Sequence, residues 1–145
     1  MKILMVCLGN VCRSPLAEGI LRHKAGHHVI VDSAGTADFN IGKPPDTRMI
    51  ATASQHGIDI SELRARQFKQ SDYNEFDLIY AMDTSNYHHI LSLARDEADR
   101  AKVKMILEDN LSVPDPYNQD GEAFERVYQL LDAACKRILS EIPGS

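Results

Sequence analysis

The sequence predicts an α/β domain: a three-layer, doubly wound, four-stranded parallel sheet with helices on both faces. Short apolar runs of strand length alternate with longer stretches whose apolar residues recur at helical spacing. Every short run gives way to a loop rich in Gly, Asn, Ser, Pro or Asp, as strands ending at one sheet edge require. The 145 residues contain no repeat and no linker, so residues 1–145 are expected to form one domain with its own core.

The first strand is predicted at Ile3 to Val6, running into Cys7 and a short Gly/Asn loop that closes with Arg13-Ser14-Pro15. Pro15 suits a helix's first turn, and apolar residues at 16, 17, 20 and 21 carry a helix to a stop near Gly26. A second strand, Val29–Asp32, leads into a long turn-rich loop from Ser33 to Pro45, and long ordered loops often carry function. Asp46 is suited to cap a helix through Met49, Ile50 and Ala53 that ends at His56-Gly57. From Ile58 to Gln70, turns and a short extended piece are expected. Phe76–Met82 reads as the third strand, with Asp83 opening a helix through Ile90, Leu91 and Ala94, and Val103–Leu107 as the fourth. A second long loop, Glu108 to Asp120, precedes a last helix with apolar positions 124, 127, 131, 134, 135, 138 and 142. Disorder is expected only at Pro143-Gly144-Ser145. Parallel strands joined by helices bind ligands beyond their carboxyl ends, where strand order reverses. Cys7, Ser33, Asp83 and the Asp115 loop all follow predicted strands and so meet at one edge.

A formal charge of −5 argues against a general nucleic-acid or anionic-membrane binder, since those depend on basic surfaces. No apolar run approaches the roughly 20 residues of a membrane helix, and the N-terminal apolar run is too short for a signal peptide. A cytoplasmic location is therefore expected. Three cysteines, two of them in one loop, make a poor disulfide framework, and the six histidines show no metal-ligand spacing. No metal and no cofactor are expected.

The first fifteen residues carry the chemistry. A strand–loop–helix junction collects unpaired N–H groups and the positive end of a helix dipole, here around a thiol, which suits an anion and favours thiolate over thiol. Cys7 and Arg13 are six apart. If Leu8, Gly9, Asn10, Val11, Cys12, Arg13 and Ser14 curl around an anion, their N–H groups point inward and Arg13 presents a fork to two oxygens. The Cys7 sulfur then lies beneath the central atom, in line for attack on a phosphate monoester. Gly9 and Asn10 tolerate backbone angles that other residues avoid, and Ser14 is placed to donate to the sulfur. A cation at a helix N-terminus opposes the dipole, so Arg13 needs a compensating anion. Nucleotide-binding glycine motifs are absent.

Cys7-Leu-Gly-Asn-Val-Cys-Arg-Ser-Pro15 resembles the signature loop of the low-molecular-weight protein tyrosine phosphatases, at the N-terminal position that family uses. The resemblance extends through Asp32–Thr36, Gly42–Asp46, His56–Ile58, Ala65-Arg66, Ala81–Asp83 and Asp115–Tyr117, nearly the whole chain. It implies Cys7 as nucleophile, Arg13 as phosphate ligand and Asp115 as general acid. The chemistry asks for such an acid independently, because a departing phenolate needs a proton and the same carboxylate then activates water. Asp115 sits between two prolines on a stiff loop; Asp109 and Asp120 are nearby alternatives without that setting. Phe39 and Tyr117, from the two long loops, are expected to wall a slit that fits a phenyl phosphate better than the shorter phosphoserine. By the resemblance Asp83 holds Arg13 through a paired hydrogen bond, while its position alone equally suits a helix cap. Ser33 and Asn10 resemble the pair that braces the family's loop. Many relatives place a histidine where this chain has Leu63, so that part of the bracing is missing or rebuilt.

Cys12 is either a packed thiol or a redox partner that shields Cys7 by a disulfide under oxidation. Cys135, on the apolar seam of the last helix, belongs to the core. The implied activity is hydrolysis of phosphotyrosine in proteins, with a cognate tyrosine kinase as a further partner and no role for nucleic acid or membrane. Rival activities on the same fold are an arsenate reductase, which needs relay thiols that Tyr80–Asp99 lacks, and a protein arginine phosphatase, whose loop tends to carry Thr where this chain has Val11. A silent phosphotyrosine-binding module is a rival of another class, opposed by the retention of Cys7, Arg13 and Asp115.

Overall fold

The computed structural model describes residues 1–143; Gly144 and Ser145, two of the three positions expected to be disordered, lie outside the described residues. Four strands, β1 (Lys2–Cys7), β2 (Ile30–Gly35), β3 (Leu78–Ala81) and β4 (Val103–Met105), form one sheet in the order β2-β1-β3-β4. Every pairing is parallel. Among the described residues six α-helices connect and cover them: α1 (Arg13–Lys24), α2 (Thr47–Gln55), α3 (Asp72–Glu75), α4 (Thr84–Ser92), α5 (Glu97–Ala101) and α6 (Gly121–Glu141), with a 3-10 turn at Glu108–Asn110 after β4. This is the doubly wound α/β architecture the alternation of patterns predicts.

The pleat of β1 divides the core in two. Ile3, Met5 and Cys7 face a layer built with Leu16, Ile20, Met49, Phe124, Leu131 and Ile138 from α1, α2 and α6. Leu4 and Val6 face the opposite layer, with Phe68, Tyr73, Phe76 and Ile90. A strand covered on both sides reads as a continuous apolar run, which is why β1 shows no polar alternation. In α1 every residue from Arg13 to Leu21 is buried, since the helix is enclosed by the sheet, α2 and α6. The apolar positions 124, 127, 131, 134, 135 and 138 of α6 are buried together, and Ile142 packs on the same core just past the helix end.

Several boundaries differ from the sequence reading. β2 continues to Gly35, because Ser33, Ala34 and Gly35 pair with Met5, Val6 and Cys7. β3 and β4 are shorter than their apolar runs, which continue as buried turn residues such as Met82 and Ile106. α3 and α5, of four and five residues, were not expected: a single turn is too short to show helical periodicity. The extended piece between 58 and 70 is an isolated parallel bridge from Gln67 to Gly35. Among the described residues no helix is long and apolar enough to cross a membrane.

The chain leaves β1 toward β2 on one side and later toward β3 on the other, so strand order reverses beside β1. A crevice opens there, at the strand ends.

Candidate active site

β1 ends in that crevice with Cys7, and the next five residues form a loop whose carbonyls are fastened outward. The Cys7 and Leu8 carbonyls accept from Thr36 and Ala37 N–H, the Gly9 carbonyl from Asn40 Nδ2, and the Val11 carbonyl from Asp46 N–H. With the carbonyls turned away, the N–H groups of Leu8, Gly9, Val11 and Cys12 have no protein partner among the described residues. They add to the free end of α1, where Cys12 occupies the cap position without a side-chain bond. Such a loop is suited to cradle an anion. Two close approaches shape it. A Cβ on Gly9 would lie 2.6 Å from Asn40 Nδ2, and one on Gly35 would lie 2.7 Å from the Leu8 carbonyl oxygen.

Around the sulfur the hydrogen bonds have a fixed sense. Asn10, at φ 57°, donates from Nδ2 to Ser14 Oγ at 2.7 Å and to Ser33 Oγ at 3.0 Å, while its Oδ1 accepts from Arg66 N–H at 3.0 Å. The Ser33 hydroxyl in turn donates a hydrogen bond to Glu18 Oε1 at 2.6 Å. That leaves the Ser14 hydroxyl free to donate to Cys7 Sγ, its nearer acceptor at 2.9 Å, with the Ala34 carbonyl at 3.4 Å. Asn10 N–H also reaches the sulfur, at 3.3 Å. Glu18 is only 2% exposed and is held by Arg22 Nη2 at 2.5 Å. Burial lifts its pKa above the ordinary carboxylate value, and the bonds from Ser33 and Arg22 pull it back. In this chain the bracing of Asn10 and Ser33 comes from the Arg66 N–H and the buried Glu18 carboxylate, while Leu63 packs against the core.

Arg13, also 2% exposed, is held at one nitrogen: Nη1 donates to Asp83 Oδ2 at 2.7 Å and to the Val113 carbonyl at 3.0 Å. Asp83 makes two contacts, for its other oxygen caps α4 through Asn86 N–H. One oxygen, not a paired fork, therefore holds the guanidinium. Burial opposes the charge on Arg13, but Cys7, Asp83 and Asp115 outweigh it and raise its pKa. Its Nη2 lies 3.6 Å from Asp115 Oδ2, which brings the candidate acid to the cradle's edge. The second Asp115 oxygen accepts from Tyr117 N–H at 3.1 Å.

Cys7, Gly9, Arg13, Phe39, Asp115 and Tyr117 line one cavity of about 340 Å³. Phe39 and Tyr117 are 61% and 54% exposed and stand on its rim, from the loops after β2 and β4. Ser33 and Asp83 stand behind the cradle. Cys12 is buried with a free thiol, and burial, then Asp46 and Cys7, push its pKa up, so it packs as a neutral thiol. Cys135 lies fully buried against α1.

Sequence reasoning missed Glu18, Arg22, Arg66 and Arg48. Glu18 had a signal: a carboxylate inside the stripe Leu16, Ala17, Ile20, Leu21 must be buried with a partner. Arg48 had the one used for Arg13, a cation in the first turn of a helix, here matched by Asp46 at the cap.

A family model described as low molecular weight phosphotyrosine protein phosphatase matches residues 2–144. The human low molecular weight phosphotyrosine protein phosphatase is 37% identical, over 96% of this chain and 94% of its own length. Among solved structures, Vibrio vulnificus Wzb in complex with benzylphosphonate superposes with a TM-score of 0.90 at 32% identity, covering 97% of this chain and 98% of that one. YfkJ from Bacillus subtilis superposes at 0.87 with 36% identity, covering 98% and 94%.

Proposed function

The chain belongs to the low molecular weight phosphotyrosine protein phosphatase family, and from that premise we propose that it hydrolyses phosphotyrosine through a phosphocysteine on Cys7. It is a protein tyrosine phosphatase; the residue roles are our reading of its site. One observation carries them: a single cavity holds the Cys7 sulfur, the Arg13 guanidinium and the Asp115 carboxyl between two aromatic side chains.

In the first step the Cys7 thiolate, steadied by the Ser14 hydroxyl, attacks phosphorus in line. The bond to the phenolic oxygen breaks as Asp115 gives that oxygen its proton, so tyrosine leaves neutral. Arg13 and the unpaired loop N–H groups carry the charge on the three equatorial oxygens, which is where phosphoryl transfer needs it. In the second step water attacks the phosphocysteine, Asp115 takes the water's proton, and phosphate departs with the thiolate restored. Phe39 and Tyr117 sandwich the phenyl ring and set a depth that a shorter phosphoserine does not span. The benzylphosphonate complex of the Vibrio relative supports a ligand of that shape. The natural substrates are phosphotyrosine proteins, supplied by a tyrosine kinase, in the cytoplasm.

The test is hydrolysis of aryl phosphates by wild type, Cys7→Ser and Asp115→Asn, with EDTA present. Activity is lost in Cys7→Ser, falls roughly 10²-fold or more in Asp115→Asn on poor leaving groups, and is indifferent to EDTA. Full activity in Cys7→Ser ends this mechanism.

A further inference from the structure

The segment that carries Asp115 buries only Pro116 and is otherwise exposed, with Asp115 3.6 Å from the Arg13 guanidinium. Residues 114–119 stand between two cavities: the active-site cavity of about 340 Å³ on one side and, behind Pro114, Asp115 and Pro116, one of about 200 Å³ against α6. Within the segment, Tyr117 N–H bonds Asp115 and Gln119 N–H bonds the Pro116 carbonyl. Among the described residues, the only hydrogen bonds that enter it from the rest of the molecule come from Arg48. That guanidinium donates to the Tyr117 carbonyl at 2.8 Å and to the Gln119 carbonyl at 3.3 Å.

Arg48 is itself fixed on three sides. Asp46 grips it as a fork, Nε to Oδ1 at 3.1 Å and Nη2 to Oδ2 at 2.9 Å. The guanidinium carbon lies 4.6 Å from the Phe124 ring centre and 5.7 Å from that of Tyr117. Asp46 in turn donates its N–H to the Val11 carbonyl of the cradle. A continuous connection therefore runs from the cradle through Asp46 and Arg48 to Tyr117, whose own N–H orients the Asp115 carboxylate. Resting on the reading of Asp115 as the general acid, we propose that Arg48 is a positioning residue. It sets Asp115 over the cradle and Tyr117 on its rim without touching substrate. A planar fork that bonds a carboxylate on one edge and two carbonyls on the other is work that Lys performs poorly.

The test reads the burst of phenolate release, which reports the first chemical step, across aryl phosphates of graded leaving-group pKa. The proteins are wild type, Arg48→Met, Arg48→Lys, Asp115→Asn and Arg48→Met/Asp115→Asn. Arg48→Met is expected to slow poor leaving groups on the order of tenfold and p-nitrophenyl phosphate far less, part of the loss that a misplaced acid produces. Arg48→Lys falls between. In the Asp115→Asn background, Arg48→Met adds no further dependence on the leaving group. An equal fall across all leaving groups, or an additive double variant, overturns the proposal and leaves Arg48 a structural role only. If Asp115→Asn itself shows no leaving-group dependence, the acid reading fails and the proposal fails with it. If Asp115→Asn shows it and neither Arg48 variant does, the proposal alone fails. Thermal unfolding of both Arg48 variants separates misfolding from mispositioning, with Arg48→Lys as the variant that keeps the charge.

Discussion

The sulfur of Cys7 owes its surroundings to a direction of hydrogen bonding imposed from about three side chains away. Asn10 has two amide protons and spends both on hydroxyls, so each hydroxyl must find its own acceptor, Glu18 for Ser33 and Cys7 for Ser14. Removing the far end should disturb the near one. Glu18→Ala strands the buried Ser33 hydroxyl, which costs about 1–3 kcal/mol of stability, and removes the anion of the largely exposed Arg22 at little further cost. Urea denaturation measures that cost, and iodoacetamide alkylation of Cys7 at neutral pH reports whether Ser14 still faces the sulfur. The expected outcome is reduced stability together with slower alkylation. Unchanged values in both would mean the carboxylate does not govern the loop.

At the scale of elements, α2 joins the cradle to the acid segment through its first turn. Asp46 accepts from Arg48 N–H as the cap of the helix and binds the same residue's guanidinium. Those bonds from Arg48 outweigh burial and hold the Asp46 carboxyl below its ordinary value of 3.8. A carboxylate whose pKa is lower folded than unfolded stabilises the fold fully above the unfolded value and loses that contribution as pH falls through the folded one. Wild type is therefore more stable than Asp46→Asn at pH 7, and the difference closes below about pH 4 as the carboxylate protonates. Urea midpoints at the two pH values check this, and a gap that persists or widens in acid contradicts it.

Taken whole, the molecule gathers residues from four distant stretches at the one edge where strand order reverses. Period and punctuation made that architecture legible: β1 as an unbroken apolar run, α6 as a seam from Phe124 to Ile138, and loops after each strand. Cys7 and Arg13 stood out as a thiol and a cation at a helix start, Asp115 through the family resemblance and its place between prolines, and the fold brings all three to one cavity. Of the bracing, Asn10, Ser14, Ser33 and Asp83 were named, whereas Glu18, Arg22, Arg66 and Arg48 were not, because Arg66 and Arg48 act through long-range partners that local spacing does not encode. Arg66 N–H reaches Asn10 across 56 residues, and Arg48 reaches Tyr117 across 69. The short helices α3 and α5 escaped for the opposite reason, having too few residues for any period to show. If this edge builds a phosphocysteine, acid quenching within the first turnover of a ³²P-labelled aryl phosphate captures one label per chain on the peptide containing Cys7, and none in Cys7→Ser. Label on another residue, or full turnover with no label on Cys7, overturns the mechanism.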